Sequence, residues 1–126
     1  LLLFDLQEAM KKKMDENQEI NWPVYDYVPE NKAVKYIIIG DVRAVPFNTK
    51  TSTGKQITTA VEVWAENRGM LDIKKLAFLI EEELADDLET DDYVFCYHET
   101  QLIDVKRETM ELVHVTLQLV YRVEYE

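Results

Sequence analysis

Residues 110 to 125, "MELVHVTLQLVYRVEY", alternate apolar and polar side chains over more than ten positions. Val113, Val115, Leu117, Leu119, Tyr121 and Val123 share one side, while His114, Thr116, Gln118 and Arg122 share the other. A period of two over that length does not suit a helix; it describes a long strand with one face buried. A one-residue slip would turn the whole apolar set to water, so the register of this strand is strongly specified. It needs a sheet to sit in and a layer to cover one face.

The rest of the chain supplies both. "YVFCYHETQLIDV" before it is strand-like and predicts a C-terminal hairpin turning near Arg107, Glu108 and Thr109. "KYIIIGDVRAV" is rich in β-branched residues, with Gly40 marking a bulge or a close approach. "KQITTAVEVWA" alternates again, with Ile57, Thr59, Val61 and Val63 on one face and Gln56, Thr58, Ala60, Glu62 and Trp64 on the other. These two make an antiparallel hairpin. Pro23 and Pro29 bracket Val24 to Val28, and because proline has no amide donor this segment reads as a short edge strand or extended arm.

Two stretches carry helical spacing instead. Residues 2 to 14 place Leu3, Leu6, Met10 and Met14 on one stripe, and residues 70 to 85 place Ile73, Leu76, Ala77, Ile80 and Leu84 on another, with Glu66 or Asn67 as the expected cap. The order of elements predicts an α+β fold: a mostly antiparallel sheet of about five strands, two helices packed on one face, and a long extended β-hairpin loop. At 126 residues one domain is expected over 1–126, with enough length to bury a core.

Composition excludes several function classes. The single Cys96 cannot form an intrachain disulfide, so the fold does not call for an oxidising compartment. "LLLF" at the start is too short for a signal-peptide core, and no apolar run approaches a membrane span of about 20 residues. The 25 acidic residues outnumber the 14 basic ones, for a net charge of −11, which argues against general nucleic-acid binding.

The charge is also segregated. "EEELADDLETDD" at 81–92 holds eight acids and no base, whereas residues 30–55 hold Lys32, Lys35, Arg43, Lys50 and Lys55 against Glu30 and Asp41. Within the latter, "PFNTKTSTGK" at 46–55 reads as a positively tipped loop. Charge runs are usually solvated faces. The sharper alternative is a head-to-tail contact between copies, the kind that closes rings. Candidate partner-binding residues are then Phe47, Asn48, Lys50, Thr51 and Lys55 in the loop, with Phe47 as an apolar anchor, and Glu81, Glu82, Asp86, Asp87, Asp91 and Asp92 in the acidic segment. Acids at a helix C-terminus oppose its dipole, which favours a partner for them.

No catalytic or metal constellation is evident. Cys96 and His98 are two apart, as a nucleophile and its base could be, but no oxyanion loop or orienting acid accompanies them. If the closing turn pairs Lys106 with Met110, His98 lies opposite Gln118 and His114 opposite Leu102, roughly 13 Å apart and unable to share a metal ion. "TSTGK" lacks the spaced glycines of a phosphate-binding loop and precedes a strand, and the acidic run lacks the spacing and central glycine of a calcium loop. Trp22 and Trp64 read as packing residues. No cofactor and no enzyme activity are expected.

"VYDYVP" at 24–29, "YIIIGD" at 36–41, "TKTSTG" at 49–54, "VEVWAENRG" at 61–69, a helix, and a closing strand ending "YRVEY" follow one another in an order and spacing that resembles the tail completion proteins of long-tailed phages and prophages, also called tail-to-head joining or tail terminator proteins. The long acidic run is not a hallmark of that family. The resemblance implies a virion protein assembled in the host cytoplasm as a ring, with six copies expected, at the head-proximal end of the tail tube. Its partners would be itself, the tail tube protein and the head connector or stopper, with genome DNA passing through the lumen and no membrane involved. A small acidic interaction adaptor is the alternative from another class, and a Cys96 enzyme a third.

Overall fold

A computed structural model describes residues 1–30, 34–66 and 70–125. The elements run α1 (Leu2–Glu16), β1 (Val24–Tyr25), β2 (Lys35–Pro46), β3 (Thr53–Glu66), α2 (Met70–Leu84), β4 (Leu88–Glu89), β5 (Val94–Arg107) and β6 (Leu112–Tyr125). The strands form one sheet in the order β1-β2-β3-β6-β5-β4. β6 is central, antiparallel to β3 on one side and to β5 on the other.

The alternating patterns fold as their periodicity requires. Val113, Val115, Leu117, Leu119, Tyr121 and Val123 of β6 are fully buried, and Ile57, Val61 and Val63 of β3 lie beside them in the same core. Ile73, Leu76, Ala77, Ile80 and Leu84 from α2 and Leu6, Met10 and Met14 from α1 cover that face. Each fully buried aliphatic side chain contributes about 1.5–3 kcal/mol relative to exposure, so this single apolar layer supplies the main driving force for folding. Leu3, expected on the α1 stripe, is instead 37% exposed. It sits in the first turn and borders a small cavity with Leu6, Met10, Ile39 and Val42.

Three expectations need correction. The sheet has six strands rather than five, because Leu88–Glu89 pairs with Val94–Phe95 inside the acidic run; two residues carry no periodicity from which a strand could be read. β1 is an edge strand as expected, but it runs parallel to β2, Val24 facing Ile37, so the sheet is mixed. The C-terminal turn is wider than assumed: Arg107 pairs with Val113 and Lys106 with His114, and bulges between Tyr97 and Glu99 and between Thr100 and Leu102 shift the register further along β5.

Gly40 does mark a bulge, the β2–β3 register shifting between Ile39 and Val42. Of the expected caps of α2, Glu66 belongs to β3, paired with Leu112, and Asn67 lies outside the described residues.

Candidate functional site

The stretch expected to be a long loop is shorter than that, a connection over 47–52 between two strands. β2 continues to Pro46 and β3 begins at Thr53, so Lys55 is a strand residue paired with Pro46. Beyond the ladder, the Phe47 amide donates to the Gly54 carbonyl at 2.9 Å and the Thr49 amide to the Ser52 carbonyl at 2.9 Å, leaving Lys50 and Thr51 as the two apex residues. Thr49 Oγ1 accepts from the Ser52 amide at 3.0 Å and contacts the Ser52 hydroxyl at 2.6 Å, the side-chain closure that threonine and serine offer tight turns.

The tip is held to the sheet. Phe47 is half-buried with the Arg122 guanidinium 4.2 Å from its ring centroid, a cation–π contact, and Arg122 Nε donates to Gln56 at 3.0 Å. Phe47 is therefore engaged within the chain rather than projecting as a free apolar anchor. Asn48 turns inward too, its side-chain oxygen accepting from the Gly54 amide at 3.4 Å. Lys50 and Thr51 are exposed, and Lys55 is half-exposed.

The acidic run divides in the same way. Asp86 lies 3.4 Å from Lys13 of α1, and Asn17 donates to Glu83 at 3.0 Å, so α1 supplies positive charge and a donor to the acid-rich end of α2. Asp87 accepts from the Tyr97 amide at 3.1 Å, occupying an outward-facing group at the start of β5. Glu82, Asp91 and Asp92 are exposed and Glu81 half-exposed, with no side-chain hydrogen bond or ion pair among the described residues.

Tip and acidic run lie at one end of the sheet. Thr53 pairs with Tyr125, Arg122 with Cys96, and Val94 with Glu89. Three strand spacings, roughly 14 Å, separate β3 from β4, with the basic apex toward one edge and the acids at the other.

The opposite, helix-free face is polar. Asp41, Arg43, Gln56, Glu62, Thr116 and Gln118 border a shallow groove of about 530 Å³. Beside it, the His114 ring stacks on Trp64 at 3.8 Å and 13°, with Nε2 3.1 Å from Glu62 and Nδ1 3.4 Å from Glu108. Sequence reasoning missed this cluster. Its signal is the cross-strand pairing of Trp64 with His114, which becomes readable only with the β3–β6 register. His98 is exposed and takes no part in it, and no group of three or more His, Cys, Asp or Glu side chains is placed to hold a metal ion among the described residues.

Cys96 is exposed, yet partial burial pushes its thiol pKa up, and the Asp87 and Glu124 carboxylates push it further. A nucleophilic thiol needs the opposite shift. No helix among the described residues is long and apolar enough to cross a membrane.

Residues 18–124 match the family model of tail completion protein gp17. No curated protein matches the chain. Among solved structures, a chain from the virion of a native gene transfer agent particle is similar in fold, with a TM-score of 0.84 at 20% identity over 98% of this chain and 97% of that one.

Proposed function

Because the chain belongs to the family of tail completion protein gp17, we propose that it is a structural, non-catalytic virion component whose copies close into a ring of six at the head-proximal end of a phage tail tube. There it ends tube growth and presents a surface to the head connector. The observation that carries this reading is the placement of the Lys50 apex and the free acids of the 81–92 run at one end of the sheet but toward opposite edges. Set edge to edge, such a molecule is complementary to a copy of itself in head-to-tail order, whereas a twofold contact between like edges would bring like charges together; head-to-tail contacts generate rings.

In the ring, Lys50, Thr51 and Lys55 of one copy meet Glu81, Glu82, Asp91 and Asp92 of the next or acidic surface on the tube, while Phe47 and Asn48 hold the tip in shape. A negative lumen, consistent with the net charge of −11, lets genome DNA slide without adhering. Assembly takes place in the host cytoplasm, and the mature protein resides at the head–tail joint.

The test is to mix the protein with assembled tail tubes and image the tube ends by electron microscopy, with light scattering of the free protein alongside. Rings capping one end of each tube are expected. Bare ends with a monomer in solution would overturn the joining role and favour an adaptor.

A further inference from the structure

The sheet is left unfinished on both sides. β1 covers β2 only at Ile37 and Ile38, and β4 covers β5 only at Val94 and Phe95. Past these caps, residues 40–46 of β2 and 98–107 of β5 pair with no strand outside their single ladder among the described residues.

Hydrogen bonds in an antiparallel ladder alternate between residues that face the partner and residues that face away. Since Phe47 bonds to Gly54, Val45 and Arg43 face β3, and Val42 and Ala44 present their amides outward. The same alternation carried through β3 and β6 turns Ile103 and Val105 of β5 outward. The outward Tyr97 amide, taken by Asp87, fits this parity. Open edges are ordinarily blunted by lysines, prolines or covering segments. Here exposed charges such as Arg43, Lys106 and Arg107 are interspersed with exposed Val42 (41%) and Ala44 on β2 and Leu102 (42%) on β5, and the proline, Pro46, falls at an outward position where no ladder donor is lost.

Resting on the ring reading above, we propose that the ring closes by strand pairing: the free edge of β2 in one copy adds to the free edge of β5 in the next, making one continuous sheet around the ring. The directions fit. β2 and β5 run oppositely within a chain, being separated by three antiparallel steps, so a rotation about an axis along the strands sets neighbouring edges antiparallel. The lengths fit as well: the free stretch of β2 is shorter than that of β5, and strands tilted to the ring axis, as in a barrel, offset it along β5 so that β1 and β4 stay in place. The charges identify the occupant as another copy. With β2 seated there, the Lys50 apex beyond Pro46 lies beside β4 and the acids Asp91 and Asp92. The bulges at Gly40 and in β5 bend the strands, as a closed sheet requires.

Proline at an outward position removes an intercopy donor but no internal one. Ala44→Pro and Val105→Pro should each weaken self-association by about tenfold or more; circular dichroism and thermal unfolding report whether the monomer stays folded. Independently of folding losses, Ala44→Cys and Ile103→Cys combined in a Cys96→Ser chain, treated with a short bifunctional thiol reagent on assembled tail tubes, should give a ladder of covalent multimers. Rings that form with folded proline variants and yield no cross-links would overturn strand pairing while leaving the ring intact. Absence of rings from the unaltered protein on tail tubes would overturn the ring reading, and this inference with it.

Discussion

The hydroxyl of Tyr121, on the central strand, donates a 2.6 Å hydrogen bond to the carbonyl of Leu84, the last residue of α2. Both residues are fully buried. The final carbonyls of a helix have no partner within it, so the sheet terminates the helix from below. Tyr121→Phe keeps the packing but leaves that carbonyl unsatisfied. A loss of about 1–3 kcal/mol is expected, read as a lower urea midpoint with an unchanged slope.

The same contact predicts a response to alkali. Burial pushes the Tyr121 pKa far above its ordinary value, with smaller contributions from Tyr97 and Asp86. With the folded-state pKa raised, the unfolded chain releases its proton first as pH climbs past about 10. The contribution to stability is thus complete below that pH and lost above it. The Tm of the unaltered protein should fall more steeply than that of Tyr121→Phe from about pH 10 to 12; parallel curves would contradict this.

Gly54 is fixed by close approach. An added Cβ would fall on the Val123 carbonyl and lie 3.1 Å from the Phe47 carbonyl, both backbone atoms that cannot swing aside. Gly54→Ala should therefore cost about 1–3 kcal/mol, the usual range for overpacking, in a thermal or urea melt. A neutral outcome would mean that the hairpin base shifts freely against β6.

Charge reversal separates folding from assembly. Lys50→Glu with Lys55→Glu should leave the melting curve nearly unchanged and weaken ring or tube association, measured by light scattering and by counting capped tube ends. Adding Asp91→Lys and Asp92→Lys to the same chain should restore association. Asp87→Ala, by contrast, should lower stability, since Asp87 accepts from the Tyr97 amide and alanine leaves that donor without its partner. Unchanged association in the lysine variant would remove the tip from the interface.

Cys96 should react with Ellman's reagent more slowly than a free cysteine at pH 8, because its thiol pKa is raised. Fast modification at neutral pH would reopen a nucleophilic role.

Much of this architecture is legible in the sequence wherever one side of an element is covered. The apolar faces of β3 and β6 and the stripe of α2 follow from periodicity because burial imposes it at every turn of the pattern. What escapes is set by contacts distant in sequence. The two-residue β4 contains a single buried apolar side chain, Leu88, and the parallel pairing of β1 has no local signature. The register of the C-terminal hairpin is not legible because nothing in the turn's residues marks its centre, which falls beyond Thr109, and the bulges in β5 carry neither glycine nor proline. The free edges belong to no pattern at all, since they are defined by what fails to cover them.

The central position of β6 has a consequence in time. On the ribosome it is made after every other strand of the sheet, and neither of its flanking neighbours, β3 and β5, meets the other without it. Earlier segments can form the β2–β3 hairpin and the helices, but the layer that unites them must wait. A chain stalled before residue 112 would offer no finished subunit, so synthesis itself withholds incomplete copies from the particle.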